Sequence, residues 1–424
     1  MAIASAAQAL ASEQEWVRPE LEDLALSSSI LWKRMGKNTQ VKPVSDRPSR
    51  IPTMPSRGGK PRVGNMNGAD MGIGSGPTQV PGQLTTVCYI HAFSYTAQAE
   101  YATDSDEKAI ENFATLTRSI APKAFADFLD IQLQGNGSNE IDTIVSTVLG
   151  TASVIVGVVV NNANFFLDDQ DVDVWTAVGG TYVTTFTVES SDVNSNTLWF
   201  NTPLPAASVS AGQGLFVSGA SGQANTGLAG LRAYQIATNT GNWMGVQRAD
   251  WPGKYITNTY TANGALTPQM VRTVEAQIEL AKGDDAEGSD MIAHSTPNEN
   301  LAWEQNALLV QRIDMASLKG DESVDMLKRK RPSQMGGHEN VINPRALPGY
   351  IDFLKLKNWF RIETKPVDFY DVAGQTLFPI YGNSGGLISA MVFYLVYEGQ
   401  VGEVQTREGA FISGITISKG LFGK

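Results

Sequence analysis

The strongest periodic pattern in the chain lies between Asp104 and Gln134 and predicts a long helix. Apolar or small side chains recur at three- and four-residue spacing, the pattern of one helical face: Ile110, Phe113, Thr117, Ile120, Ala124, Phe128 and Ile131. Asp104 and Glu107 have capping-box spacing, and Gly135 marks the end. Pro122 lies inside the helix and removes one backbone hydrogen bond, so we predict a bend there.

A second helix is predicted from Thr267 to Gly283, with a capping threonine, a proline in the first turn and apolar residues on one face. The strand-like segment DMIAH follows it, and a third helix is predicted around Glu299–Leu309. This helix–strand–helix order indicates a small α/β layer.

Strand patterns account for most of the remaining structured chain. Residues 84–102 have an extended pattern rich in Thr, Val, Tyr and Phe. Residues 150–226 contain short strands between glycine and Asn/Ser/Asp turns, which favours an inserted small β-barrel or sandwich. Tyr182, Thr184, Phe186 and Val188 are predicted to share a face there. The C-terminal region is also predicted to be mostly strand, so the fold class is α+β.

Residues 33–83 have no apolar period and are rich in Pro, Gly and Arg. A loop this long is uncommon inside a compact domain, so something outside its own domain is expected to shape it. Its first part is strongly basic, with nine cations and one acid, Asp46, between Lys33 and Arg62. That segment carries 9 − 1 = +8 in a chain of formal net charge −11. We therefore expect an anionic partner, either DNA or the acidic face of a neighbouring subunit.

Composition narrows the class of protein. Hydrophobic residues make up 42% of the chain and charged residues 18%, below the roughly 25% usual for globular proteins, which leaves a rather neutral surface. Cys88 is the single cysteine, so no intrachain disulfide or cysteine zinc cluster is possible, in keeping with assembly in a cytoplasm. The sequence has neither a secretory signal pattern nor an apolar run long enough to span a membrane.

The sequence contains no catalytic motif that its surroundings support. Residues 382–386, GNSGG, match a serine-hydrolase pattern, but all three histidines precede Ser384, and a turn between strands is favoured. Asp169, Asp171 and Asp173 resemble the start of a calcium loop without its glycine and final glutamate, so three aspartates on one solvent face of a strand are expected. No catalytic residue, metal site or cofactor is predicted.

The order of these parts resembles the major capsid protein fold of tailed bacteriophages, which encapsulins share. The resemblance is carried by DSDEKAIENFATLTRSIAPKAFADFLDIQLQGNG, with its G-N-G end, and by TPQMVRTVEAQIELAKG followed by DMIAHSTPNENLAWEQ. It implies an N-terminal arm at 1–50, an extended loop at 51–90 and a first part of the peripheral domain at 91–149, with the spine helix at 104–134. The inserted β domain is expected at 150–226, a mainly axial α/β domain at 227–370 and C-terminal strands at 371–424.

The function this resemblance implies is a shell protein that forms hexamers and pentamers of an icosahedral head around double-stranded DNA. Expected partners are other copies of the chain, a portal, a separate scaffolding protein and possible cement proteins, in a virion assembled in the bacterial cytoplasm. The arm residues expected to face DNA or a neighbour are Lys33, Arg34, Lys37, Lys42, Arg47 and Arg50. The extended-loop contacts expected are Arg57, Lys60 and Arg62.

Three alternatives stay open at this stage. An encapsulin-type nanocompartment has the same fold and encloses protein cargo, although the basic arm favours DNA. A β-rich surface or glycan-binding module would explain residues 150–226 but neither the long helix nor the missing export signal. A hydrolase that uses Ser384 ranks last.

Overall fold

A computed structural model of the chain describes residues 29–37, 49–61, 73–102, 113–150, 154–205, 208–223, 226–282, 291–304, 334–381 and 387–416. The helices are α1 Ile30–Arg34, α2 Ala97–Ala102, α3 Phe113–Gln134, α4 Leu231–Tyr234 and α5 Pro268–Lys282, with residues 297–304 also helical. Strands before the long helix are β1 Gly36–Lys37, β2 Ser49–Ser56, β3 Thr78–Leu84 and β4 Val87–Thr96. Strands after it are β5 Glu140–Leu149, β6 Ile155–Val160, β7 Asp171–Trp175, β8 Tyr182–Asp192, β9 Thr197–Leu204, β10 Gly214–Val217, β11 Asn242–Trp243, β12 Val246–Gln247, β13 Asn258–Gly264, β14 Met291–Ser295, β15 Gln334–Met335, β16 His338–Ile342, β17 Ile351–Lys355, β18 Trp359–Phe369, β19 Phe378–Tyr381, β20 Leu387–Glu403 and β21 Ala410–Ile415.

The first sheet is organised around the long strand β20. It pairs antiparallel with β4, β18 and β19, and β1 joins β18 in parallel. Helix α3 lies on this sheet, where the Phe128 ring meets Tyr89 at 5.3 Å and the Phe125 ring meets His91 at 5.8 Å. The helix ends at Gln134, just before Gly135, as predicted. Its predicted start at residue 104 lies outside the described residues.

The buried side of α3 differs from the predicted face. Its most deeply buried apolar residues follow a four-residue spacing: Ala121, Phe125, Leu129 and Leu133. The predicted Ala124 and Phe128 are only half-buried. The reason is that the last part of α3 is enclosed on several sides, since Leu129 and Leu133 pack into the main core and Ile131 into the barrel core. One amphipathic stripe cannot describe a helix held between two cores.

The extended segment predicted at residues 84–102 is wrong in its last six residues. Strand β4 ends at Thr96, and α2 begins at Ala97. The Thr96 hydroxyl accepts a hydrogen bond from the amide of Ala99 at 3.2 Å, as a helix cap does. The sequence of α2, AQAEYA, consists largely of good helix formers, which explains the change of structure.

Six strands close into a small barrel in the order β10-β5-β6-β9-β8-β7. Strand β5 pairs with both β6 and β10, so the barrel begins at Glu140, ten residues before the predicted boundary at 150. Of the four residues predicted to share a face, Phe186 and Val188 are buried in its core, Thr184 is half-buried and Tyr182 is exposed. The barrel also contacts the segment between β16 and β17, where the Asn162 Nδ2 donates to the Ala346 carbonyl at 3.4 Å.

The second large sheet has six strands in the order β13-β21-β17-β14-β16-β15. Helix α5 covers it through Val271, Val274 and Ile278, which confirms the helix predicted from Thr267 to Gly283. The predicted strand DMIAH is β14, and residues 297–304 form the start of the predicted third helix.

The C-terminal strands are divided between the two large sheets. Strands β18, β19 and β20 belong to the first sheet, and β21 lies between β13 and β17 in the second. The predicted segments 227–370 and 371–424 therefore each contribute strands to both sheets. Sequence order alone does not reveal this exchange, because long-range pairing decides it.

Candidate assembly surfaces

The described residues bring no catalytic group together. His91 lies in the first sheet against Phe125, where burial lowers its pKa to about 4. His294 and His338 are buried in the second sheet, and the His338 Nε2 lies 3.1 Å from the Glu275 Oε1. Residues 382–386, including Ser384, lie outside the described residues. No group of three or more His, Cys, Asp or Glu in the described part of the chain is placed to hold a metal ion.

The three aspartates do not share one solvent face, contrary to the prediction. Asp171 is exposed and accepts a hydrogen bond from the Thr187 hydroxyl at 2.6 Å. Asp173 is buried and accepts from the Thr185 hydroxyl and from the amide of Gly219. Asp169 sits in a turn with a positive φ of 61°. Asp173 thus links β7 to β8 and to the segment after β10, a structural role.

The arm segment 30–37 is docked on the body of its own chain. Leu31, Trp32 and Met35 are buried in the main core. The Arg361 guanidinium lies 4.5 Å from the centre of the Trp32 ring, and the Tyr397 ring meets it edge-on at 5.2 Å. These contacts hold α1 against the first sheet. Residues 30–37 therefore anchor the arm to the body of the chain.

A buried polar junction joins this anchor to α3 and to the segment between β16 and β17. The Asp130 carboxylate is fully buried and accepts from the Trp32 amide at 2.7 Å and from the Asn343 Nδ2 at 2.8 Å. The Arg345 guanidinium lies 3.5 Å from the carboxylate of Asp127, which is on the same helix as Asp130. Burial raises the pKa of Asp130, and the hydrogen bonds from Trp32 and Asn343 and the charge of Arg345 work against that rise.

A second buried pair lies beside this junction. The Arg232 guanidinium of α4 donates to the Asp352 carboxylate of β17, and His294 Nδ1 lies 3.6 Å from the same carboxylate. Burial opposes ionisation of Asp352, but the charge of Arg232 and the His294 contact outweigh it and lower its pKa. None of these residues was predicted from the sequence as part of a buried polar cluster. The only signal was a pair of acids, Asp127 and Asp130, in the most apolar part of a helix.

The predicted extended loop is an antiparallel ribbon of β2 and β3. Its base is anchored, since Ile51 and Leu84 are buried in the main core and the Thr53 hydroxyl lies 2.8 Å from the Tyr255 hydroxyl. Gly82 permits this approach, because an added Cβ would lie only 3.1 Å from the Met244 Cβ. The described residues beyond Thr53, 54–61 and 73–77, form the outer ribbon. There the Gly59 amide donates a hydrogen bond to the Ser75 carbonyl at 2.7 Å.

The outer part of this ribbon exposes both apolar and basic side chains. Met54 is 53% exposed and Ile73 91% exposed. An isolated two-stranded ribbon is marginally stable in water, so this part needs a surface to lie on. Residues 49–61 and 73–84 contain three cations and no acid. The ribbon is thus a basic, partly apolar projection with a firmly held base.

The predicted basic residues fall into four groups. Arg34 is paired within its own chain, because its guanidinium contacts the Glu339 carboxylate at 2.8 Å. The exposed residues are Lys33 in α1, Arg50 in β2, and Arg57 and Lys60 in the outer ribbon. Lys37 lies in β1 beside Arg361 of β18. Lys42, Arg47 and Arg62 lie outside the described residues.

Pro122 lies inside α3, where the sequence placed it, and is half-buried. The bend predicted at this position stays a prediction.

None of the helices described is both long and apolar enough to cross a lipid bilayer.

No family model matches the chain, and no curated protein sequence matches it. Among solved structures, it is similar to a subunit of the cyanophage A-1(L) capsid, with a TM-score of 0.54 and 12% identity over 94% of this chain and 96% of that chain. It is also similar to the capsid subunit of the native GTA particle, with a TM-score of 0.49 and 8% identity over 95% of each chain. The SrpI encapsulin from Synechococcus elongatus PCC 7942 gives a TM-score of 0.45 and 7% identity over 99% of this chain and 98% of that chain.

The likeness to the cyanophage subunit spans nearly the whole of both chains and confirms the phage major-capsid fold predicted from the sequence. The two other likenesses have TM-scores below 0.5, and nothing rests on them.

Proposed function

We propose that this chain is the major capsid protein of a tailed bacteriophage, which assembles into hexamers and pentamers of an icosahedral head around double-stranded DNA. The observation that carries the proposal is the whole-chain likeness to the cyanophage A-1(L) capsid subunit. The protein acts as a structural subunit, requires no cofactor and performs no catalysis. It belongs to the virion and is assembled in the bacterial cytoplasm.

The ribbon of β2 and β3 supports self-assembly. Its outer part has no covering layer of its own, and ordering such a segment costs conformational entropy. Burial against a neighbouring copy offsets that cost, since standard protein interfaces bury about 1,600 Å² in total. Assembly therefore completes a structure that the single chain leaves half-solvated.

The exposed cations of the arm support contact with DNA. Lys33 and Arg50 are free to meet phosphates, and such contacts are non-specific because phosphate oxygens carry no sequence information. Lys42 and Arg47 are proposed to act with them. Portal, separate scaffolding and cement proteins complete the proposed partners.

The proposed DNA content of the shell is tested by purifying particles and treating them with nuclease. The particles come from infected cells or from cells that co-express the proposed partners. Protected double-stranded DNA is expected inside. Particles that protect no nucleic acid and retain a defined protein cargo would instead support the nanocompartment alternative.

The role of the ribbon is tested by replacing residues 54–77 with a short Gly-Ser turn, which leaves the anchored base intact. We expect folded subunits that form no closed shells. The matched control replaces the exposed turn residues Val372–Gln375 with Gly-Ser residues and should leave assembly unchanged. Normal shells from the ribbon variant would contradict the proposed role.

A further inference from the structure

The outer wall of the barrel carries an exposed apolar strip. Val145 and Leu149 of β5 are 49% and 62% exposed, and Trp199 of β9 is 38% exposed. Trp199 pairs with Gly157 of the intervening strand β6, so its ring lies beside a position without a side chain. These strands form one continuous wall, β5-β6-β9. Exposed large apolar side chains grouped on one wall of a barrel are typical of interaction sites.

Carboxylates border this strip on the neighbouring strands. Trp199 pairs on its other side with Ser190 of β8, next to the exposed Glu189. Asp171 of β7 pairs with Thr187 of β8, and the amide of Asp169 donates to the Val188 carbonyl at 2.8 Å. Asp168 and Asp169 are exposed in the turn before β7. The wall therefore passes from apolar on β5 and β9 to acidic on β7 and β8.

Nothing in the barrel neutralises this acidic side. Residues 124–231 contain no Lys, Arg or His. The barrel carries eight acids: Glu140, Asp142, Asp168, Asp169, Asp171, Asp173, Glu189 and Asp192. Burial, and then the charge of Asp169, raise the pKa of Asp168, so the like charges in this turn oppose each other. An incoming cation would relieve that repulsion.

The complementary surface is present on the same chain. The outer ribbon exposes Arg57 and Lys60 together with Met54 and Ile73, and its described residues include no acid. Residues 54–61 span about 26 Å when extended, at about 3.3 Å per residue, so the ribbon reaches well beyond its anchored base. Both surfaces combine an apolar part with a charged part, and the charges are opposite.

We propose that the outer ribbon of one subunit docks on the β5-β6-β9 and β7-β8 wall of the barrel of a second copy, its cations against Asp168, Asp169, Asp171 and Glu189 and its apolar residues against Trp199. The contact joins two different surfaces of the same chain, and such heterologous contacts build closed rings when the rotation closes. This inference rests on the proposed function, since it requires copies of the chain to stand side by side.

Zero-length carbodiimide coupling of assembled wild-type particles tests this contact directly. The reagent joins a carboxylate to a lysine only when the two groups touch, and Lys60 is the single lysine of residues 51–90. Particles are assembled from an equal mixture of isotope-labelled and unlabelled chains, coupled, digested and analysed by mass spectrometry. We expect peptides that join Lys60 to Asp168, Asp169, Asp171 or Glu189, with mixed-isotope pairs proving a contact between chains.

Lys60→Arg keeps the charge and removes the coupling group, so it should abolish these peptides and leave the shells intact. Lys254→Arg, at another exposed lysine, is the matched control and should leave them unchanged. Intact shells in which Lys60 couples only to carboxylates outside the barrel, or to none, would overturn the docking and leave the proposed function standing. A wild-type chain that forms no particles would overturn both.

Charge exchange gives a second, independent readout. The double variant Arg57→Glu/Lys60→Glu and the double variant Asp169→Lys/Glu189→Lys should each reduce the yield of shells, because like charges then meet. Combining all four substitutions should restore the yield. Failure of the combined variant to recover, with every variant folded by circular dichroism, would contradict the pairing.

Discussion

The buried junction at Asp130 leads to a prediction whose size follows from its contacts. Asp130→Ala removes the acceptor of the Trp32 amide and of the Asn343 Nδ2, and both donors stay enclosed. A buried donor left without a partner costs about 1–3 kcal/mol, so two of them cost about 2–6 kcal/mol of folding free energy. For the Trp32 amide alone, a loss of about 1–3 kcal/mol corresponds to about 5- to 150-fold faster hydrogen exchange.

The assay is hydrogen–deuterium exchange of the peptide that covers residues 29–37, measured by mass spectrometry. Asp130→Ala should make the amides of this peptide exchange faster. Ser119→Ala, at an exposed position of the same helix, should leave their exchange slow. Unchanged protection in the Asp130 variant would refute the idea that this carboxylate holds the arm anchor to the helix.

Asp130→Asn should be milder than Asp130→Ala, since the amide oxygen still accepts one hydrogen bond. The pH dependence has a definite sign. Burial raises the pKa of folded Asp130 above its ordinary value of 3.8, so the folded chain binds the proton more tightly than the unfolded chain. The stability that this group contributes is complete below about pH 3.8 and declines as the pH rises through the raised pKa. Asp130→Asn removes this decline.

Three further predictions concern single positions. Burial raises the pKa of Glu403 to about 8, so stability to urea should fall as the pH rises from about 4.5 to 8, and Glu403→Gln should remove that fall; an equal slope in both proteins would argue against it. Pro122→Ala restores a backbone donor within the helix, so it should stabilise the isolated chain by up to about 3 kcal/mol in urea denaturation and hinder shell expansion; variant particles that expand normally would remove support for a functional bend. Gly157→Ala puts a Cβ 2.5 Å from the Leu198 carbonyl oxygen and should lower the free energy of unfolding by about 1–3 kcal/mol. Gly212→Ala, at a position with open space but a positive φ, should lower it less. Equal losses of stability would mean that the barrel wall moves to accommodate the added Cβ at Gly157.

Local signals explain which parts of the fold were predictable. Helix α5 has a threonine and a proline at its start and one clean apolar face, so its bounds followed from residues 267–283 alone. The end of α3 followed from Gly135 in the same way. The barrel was predictable as a class because short strands and turns alternate through it, but its first strand was assigned to the preceding segment.

Long-range contacts explain why the other parts of the fold could not be predicted from the sequence. The ribbon has little strand pattern because Pro and Gly interrupt it, and its base is ordered by Met244 and Tyr255, far along the chain. The arm anchor depends on the Asp130 carboxylate and the Arg361 guanidinium. Local sequence marks Asp130 only as an acid in an apolar part of a helix, and it does not mark Arg361. A basic run predicts an anionic partner, but only the structure separates Arg34, paired with Glu339, from the exposed cations of the outer ribbon.

The most direct test of the central claim is sedimentation and negative-stain electron microscopy of the chain expressed alone and with a separate scaffolding protein. We expect uniform closed shells, or sheets and tubes of capsomers where closure fails. A stable monomer under every condition, including with the scaffolding protein present, would contradict it.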